Sequence, residues 1–145
     1  MKTKNIWRIA FTILAVFTLA ACTDDDGDWS PMKWKAEGGL AQDKGGYYEV
    51  AGNGGICKFT CTNYKRPWLS HANADSQTYD PDYDPETDKA PNFHRIHNEW
   101  FEAEITNDVL TVTFKENTTH QERELHVTVT AGDIFEQIHF RQKAD

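Results

Sequence analysis

The sequence predicts an all-β protein, a β-sandwich of about seven short strands. Apolar and polar residues alternate over several short runs. The clearest are Leu110, Val112 and Phe114 against Thr111 and Thr113, and Leu125, Val127 and Val129 against His126, Thr128 and Thr130. A period of two marks a strand with one buried face. Turn signals such as Gly52-Asn53-Gly54-Gly55, Asn107-Asp108 and Gly132-Asp133 separate the runs at strand-like intervals. Beyond Cys22 no run carries a helical period.

The chain divides into three parts. Residues 1–21 read as a secretory signal peptide: Lys2, Lys4 and Arg8 form a basic start, and Ile9 to Ala21 is apolar except for Thr12 and Thr18. The apolar run is too short for a spanning helix, which needs about 20 residues. Leu19-Ala20-Ala21-Cys22 resembles a bacterial lipoprotein box. That resemblance implies lipidation of Cys22, which becomes the first residue after cleavage. Residues 22–31 are then an acidic tether containing Asp24-Asp25-Asp26-Gly27-Asp28. The tract resembles the export signal of Bacteroidetes surface lipoproteins, which implies an outer-membrane, lipid-anchored, surface-exposed protein. Residues 32–145 form the domain.

Charge narrows the partners. The segment from Cys22 onward has 12 Lys and Arg against 23 Asp and Glu. Nucleic-acid binding is driven by cationic side chains that release counterions, so that partner class is not expected. The cysteines Cys57 and Cys61 fall in one strand. Four residues along a strand span about 13 Å, and bridged Cα atoms lie within about 7 Å, so the two thiols cannot pair there. Cys57, Phe59 and Cys61 share a face and read as core.

The expected strands run in order. Met32-Lys33-Trp34-Lys35 begins the first and Tyr47-Tyr48-Glu49-Val50 is the second. Ile56 to Thr62 is the third, ending before Pro67. Trp100 to Ile105, Leu110 to Phe114, Leu125 to Val129, and Ile134 to Phe140 complete the set. Residues 69–98 break the rhythm. They are polar, hold Pro81, Pro85 and Pro91, and show neither period, so a long irregular loop is expected, a kind of segment that is commonly functional or disordered.

That loop supplies the candidate ligand site. Sugars stack on aromatic rings while carboxylates and amides take their hydroxyls. Tyr79 and Tyr83 beside Asp80, Asp82 and Asp84 offer both kinds of group. Trp68 and Trp100 read as core anchors, since large aromatics mainly pack. No cofactor is expected. Calcium is weighed in the 80–88 loop, where carboxylates alternate, but Pro85 and Pro91 stand where an EF-hand needs Gly and Glu. His71, His94 and His97 are expected to be surface histidines, and no metal is assigned. No nucleophile elbow, phosphate loop or dinucleotide fingerprint is present, and no catalytic residue is assigned.

The C-terminal third carries a more specific pattern. Asn117, Arg123, Leu125-His126-Val127-Thr128-Val129, Gly132 and Ile138-His139-Phe140-Arg141-Gln142 resemble the BACON domain of Bacteroidetes over residues 99–143, less closely from 46, and not over 69–98. The resemblance implies an Ig-like β-sandwich and carbohydrate or mucin binding. Asn117, Arg123 and Gln142 match the family pattern and are expected to be structural. The function expected is a surface lipoprotein with a glycan-binding module. The alternative is a non-catalytic structural or protein-interaction module docking onto an outer-membrane protein partner.

Overall fold

A computed structural model describes residues 30–82 and 93–144. These residues contain ten strands and no helix, and hence no helix long and apolar enough to cross a membrane. In chain order the strands are β1 (Trp34–Ala36), β2 (Tyr47–Val50), β3 (Gly55–Cys61), β4 (Trp68–Ala74), β5 (Gln77–Tyr79), β6 (Arg95–His97), β7 (Phe101–Thr106), β8 (Val109–Phe114), β9 (Arg123–Ala131) and β10 (Ile134–Gln142). They form two five-stranded sheets ordered β1-β3-β8-β7-β6 and β2-β10-β9-β4-β5. Only the β2–β10 pairing is parallel.

The seven expected strands are present. Of the three additional ones, β5 and β6 lie inside the stretch expected to be an irregular 69–98 loop and β4 enters it from Trp68, so that expectation is overturned over 69–79 and 95–97. Their signal was weak for physical reasons. A register shift between Leu69 and His71 interrupts the period of β4, and its inward positions after Leu69 are only Ala72 and Ala74. β5 and β6 have three residues each. The β4–β5 turn is built from Asp75 and Ser76 at φ 52° and 61°. Two successive left-handed residues make a type I′ turn, for which Asn-Gly is the usual sequence.

Each sheet turns one face inward. β3 buries Cys57, Phe59 and Cys61, and both thiols are free. β8 buries Leu110, Val112 and Phe114, and β9 buries Leu125, Val127 and Val129. Each fully buried side chain of this size contributes about 1.5–3 kcal/mol. A chain of ring contacts joins the sheets: Tyr48 to Phe59 at 4.8 Å between centroids, Phe59 to Phe140 at 5.6 Å, Phe140 to Phe114 at 5.3 Å, and Phe114 to Trp100 at 6.2 Å. Trp100 is therefore core, as expected. Trp68 is only half-buried and does not pack with the core, because the side-chain alternation sends Leu69 inward and Trp68 outward.

Two buried amides close one end of the sandwich. Asn117, fully buried, donates Nδ2 to the carbonyls of Gln121 and Lys143 and accepts at Oδ1 from the Thr119 N–H and hydroxyl. Its whole hydrogen-bonding capacity is used. Gln142, also fully buried, donates Nε2 to the carbonyls of Ala51, Gly52 and Lys115, while Oε1 accepts from Arg123 Nε at 2.9 Å. The structural roles expected for Asn117, Arg123 and Gln142 are these bonds.

Candidate functional site

The site expected in the loop is not assembled among the described residues. Cys22, Tyr83, Asp84 and most of the 80–88 segment lie outside them. Tyr79 sits at the end of edge strand β5 with its ring edge-on to Phe101 at 5.6 Å, and its hydroxyl donates to Gln77 Oε1. Part of Tyr79 is thus spent on packing. Asp80 is exposed. Asp82 is held by its neighbours: Oδ1 lies 2.8 Å from His97 Nδ1, Oδ2 lies 3.4 Å from Arg95, and its backbone N–H donates to the Arg95 carbonyl. A carboxylate already paired with a guanidinium and bonded to an imidazole is a poor free ligand for a sugar hydroxyl or a cation. His71 belongs to the other sheet from His97, and its Nε2 lies 3.2 Å from the Thr128 hydroxyl.

A different surface gathers ligand-type chemistry: the outer face of the β2-β10-β9-β4-β5 sheet. Cross-strand register builds it row by row. Trp68 and Phe135 both lie opposite Thr130, on its two sides. His71 and Gln137 flank Thr128 in the same way. The next row runs Thr78, Asn73, His126, His139 and Tyr47 across all five strands. The last holds Glu124, Arg141 and Glu49. From Thr130 to Glu124 is six residue steps, so the strip is about 20 Å long.

Within the strip, Phe135 is 60% exposed, whereas Thr130 and Thr128 are only 4% and 6% exposed. The threonines are buried despite facing outward, because larger side chains stand on either side of each. Trp68 and Phe135 stand two strand spacings apart, about 9–10 Å. The Thr128 hydroxyl also receives the Gln137 amide at 3.3 Å. Farther along, the Arg141 guanidinium carbon sits 4.0 Å from the Tyr47 ring centroid. Arg141 also pairs with Asp43, Glu122 and Glu124, and its hydrogen bond to Glu124, more than any other contact, holds its guanidinium above its ordinary pKa. Burial, reinforced by neighbouring His126, pushes His139 below the usual imidazole value. Beyond Glu124 the strip opens into a shallow cleft of about 380 Å³ lined by Asn73, Asp75, Glu122, Arg123 and His126.

Sequence reasoning placed Thr128, Thr130 and His126 on an outward face but did not connect them to a site. Phe135 and His139 were not singled out. The outward positions of β10 gave the signal. They gain meaning only with the pairing of β9, β10 and β4.

No family model matches this chain, and no curated protein does. Among solved structures, it is similar to an NMR structure of a protein from Bacteroides thetaiotaomicron, at 28% sequence identity and a TM-score of 0.65, covering 87% of this chain and 98% of that one. The likeness takes in nearly the whole of that protein. Its description names no activity.

Proposed function

We propose that this chain is a non-catalytic carbohydrate-binding module, held at a bacterial outer surface through a lipidated Cys22. The single observation that carries the binding half is the strip on the second sheet: two outward aromatics, Trp68 and Phe135, flank Thr130, and the next rows present the imidazoles of His71 and His126 and the amides of Gln137 and Asn73. Aromatic faces take the apolar faces of sugar rings, and the polar rows take hydroxyls. The strip is flat and long, which suits an extended oligosaccharide better than a compact metabolite, for which an enclosed pocket is the rule.

The distribution of exposed apolar side chains also favours sugar over a protein partner. A docking surface for protein commonly shows a contiguous apolar patch. Among the described residues the large exposed hydrophobics are Ile56, Phe93 and Phe135. Ile56 is on β3 in one sheet and Phe135 on β10 in the other. The Ig-like, BACON-type reading of the domain agrees with the two-sheet architecture and with the roles of Asn117, Arg123 and Gln142. The structural likeness to a Bacteroides protein fits the source that the lipoprotein box and acidic tract imply. Under this reading the acidic tether holds the domain off a negatively charged cell surface.

The test is a screen of the full chain, in detergent, against mucin glycans and plant polysaccharides, with and without calcium. Saturable binding to at least one class is expected. A blank across the panel would turn the assignment to the assembly role, in which the domain docks onto an outer-membrane protein. Radiolabelled palmitate incorporated by the intact chain and lost in Cys22→Ser tests the anchor.

A further inference from the structure

We propose that His126 and His139 form a two-imidazole site for a divalent transition metal of the zinc, nickel or copper(II) class. The argument starts from strand pairing. β9 and β10 are antiparallel, and their register sets His126 directly opposite His139. Directly opposed residues have Cβ atoms about 4.5–5.5 Å apart, so the two rings share one gap on the outer face. They approach at 86° with centroids 4.6 Å apart, and the two Nδ1 atoms are 2.5 Å from one another. The two nitrogens share one hydrogen bond, so a metal entering between them would displace the proton that one Nδ1 donates to the other. Imidazole suits zinc, nickel and copper, whereas calcium and magnesium prefer oxygen.

The far side of one ring completes the pattern. His126 Nε2 faces Glu124 Oε2 at 3.7 Å, close enough for electrostatic attraction and too long for a hydrogen bond. Glu124 is itself fixed by Arg141 and by the Tyr47 hydroxyl. A carboxylate on the rear side of a ring electrostatically favours a proton on the rear nitrogen, and the front nitrogen is then the ligating atom. Here that front nitrogen is Nδ1, the atom aimed at His139. A tetrahedral metal with bonds of about 2.0–2.1 Å sets its two nitrogens about 3.3 Å apart. The pair must open by roughly 0.8 Å to admit it, and the His126 side chain is 26% exposed, which leaves room for that rotation. No group of three His, Cys, Asp or Glu converges among the described residues. Water would then fill the remaining positions, and binding would be moderate rather than structural.

The experiment uses the full chain in detergent, titrated calorimetrically with Zn²⁺, Ni²⁺ and Cu²⁺ separately at neutral pH. Binding of one ion per chain is expected for at least one of the three metals. Affinity should fall at least about tenfold, about 1.4 kcal/mol, in H126A and in H139A. H97A should bind as the unsubstituted chain does. Histidine ring NMR of the unsubstituted chain provides a readout that does not depend on any variant folding: Zn²⁺ should shift the His126 and His139 ring signals before those of His71, His94, His97 and His120. Absence of stoichiometric binding for all three metals would overturn the proposal. So would binding retained in both alanine variants, or first shifts at other histidines.

Discussion

Arg123 holds its guanidinium carbon 4.1 Å from the centroid of the Trp100 indole while its Nε donates to Gln142 Oε1 at 2.9 Å. One side chain thus ties the aromatic chain of the core to the buried amides that close the sandwich. Arg123→Ala removes a cation–π contact worth about 0.5–2 kcal/mol and leaves a buried acceptor unmet, at about 1–3 kcal/mol. A total loss of about 2–4 kcal/mol is expected, read as a lower urea midpoint. Arg123→Lys should recover little, because an ammonium cannot reproduce the planar fork. A loss under about 0.5 kcal/mol in the alanine variant, the range of ordinary surface changes, would show that the contact is incidental.

Gly54 leads into β3 with φ at +84°, and a Cβ built there would lie 2.3 Å from the Phe114 carbonyl oxygen. The obstacle is backbone, held by the β3–β8 pairing, so it cannot swing aside. Gly54→Ala should cost about 2 kcal/mol or more, since left-handed strain and a steric clash add. A thermal melt of the variant checks this, and an unchanged Tm would contradict it.

Glu136 sits among the inward positions of β10, between Ile134 and Ile138, and burial raises its carboxyl pKa. A folded-state pKa above the unfolded one favours the fold fully below the unfolded pKa, and that contribution is lost as pH rises through the folded one. At neutral pH the charged form is therefore a burden. Glu136→Gln should raise the Tm at pH 7–8 and change it little near pH 4. A lower Tm at pH 8 would mean that the carboxylate has a stabilising partner.

The strands that alternate branched or aromatic residues with polar ones were legible: β8, β9 and β10 could be drawn from their period of two alone. β4 was not, because its bulge at Leu69/His71 breaks the period and alanines fill its inner positions. Trp68 read as core because large aromatics mainly pack, whereas the structure sends Leu69 inward in its place. The candidate site suffered from the same gap. Tyr79 and the aspartates attracted notice because aromatic and acidic residues cluster along the chain, yet Asp82 pairs with Arg95 and His97 and Tyr79 packs on Phe101. The His126–His139 pair was nearly in reach. Gly132-Asp133 forms a two-residue turn, with Gly132 at φ 80°. Such a turn fixes register, and counting back from it puts the two histidines opposite one another. The strip as a whole needed β4 beside β9, a long-range pairing that no local pattern declares.

The central claim is that ligand binds the outer face of the second sheet. The most direct test measures the affinity of the full chain for mucin glycans and plant polysaccharides, alongside the Trp68→Ala/Phe135→Ala double variant and Tyr79→Ala. The account predicts a loss of at least tenfold in the double variant, about 1.4 kcal/mol, with Tyr79→Ala unchanged and both variants melting as folded proteins. Binding that persists in the double variant, or that disappears with Tyr79→Ala alone, would contradict it.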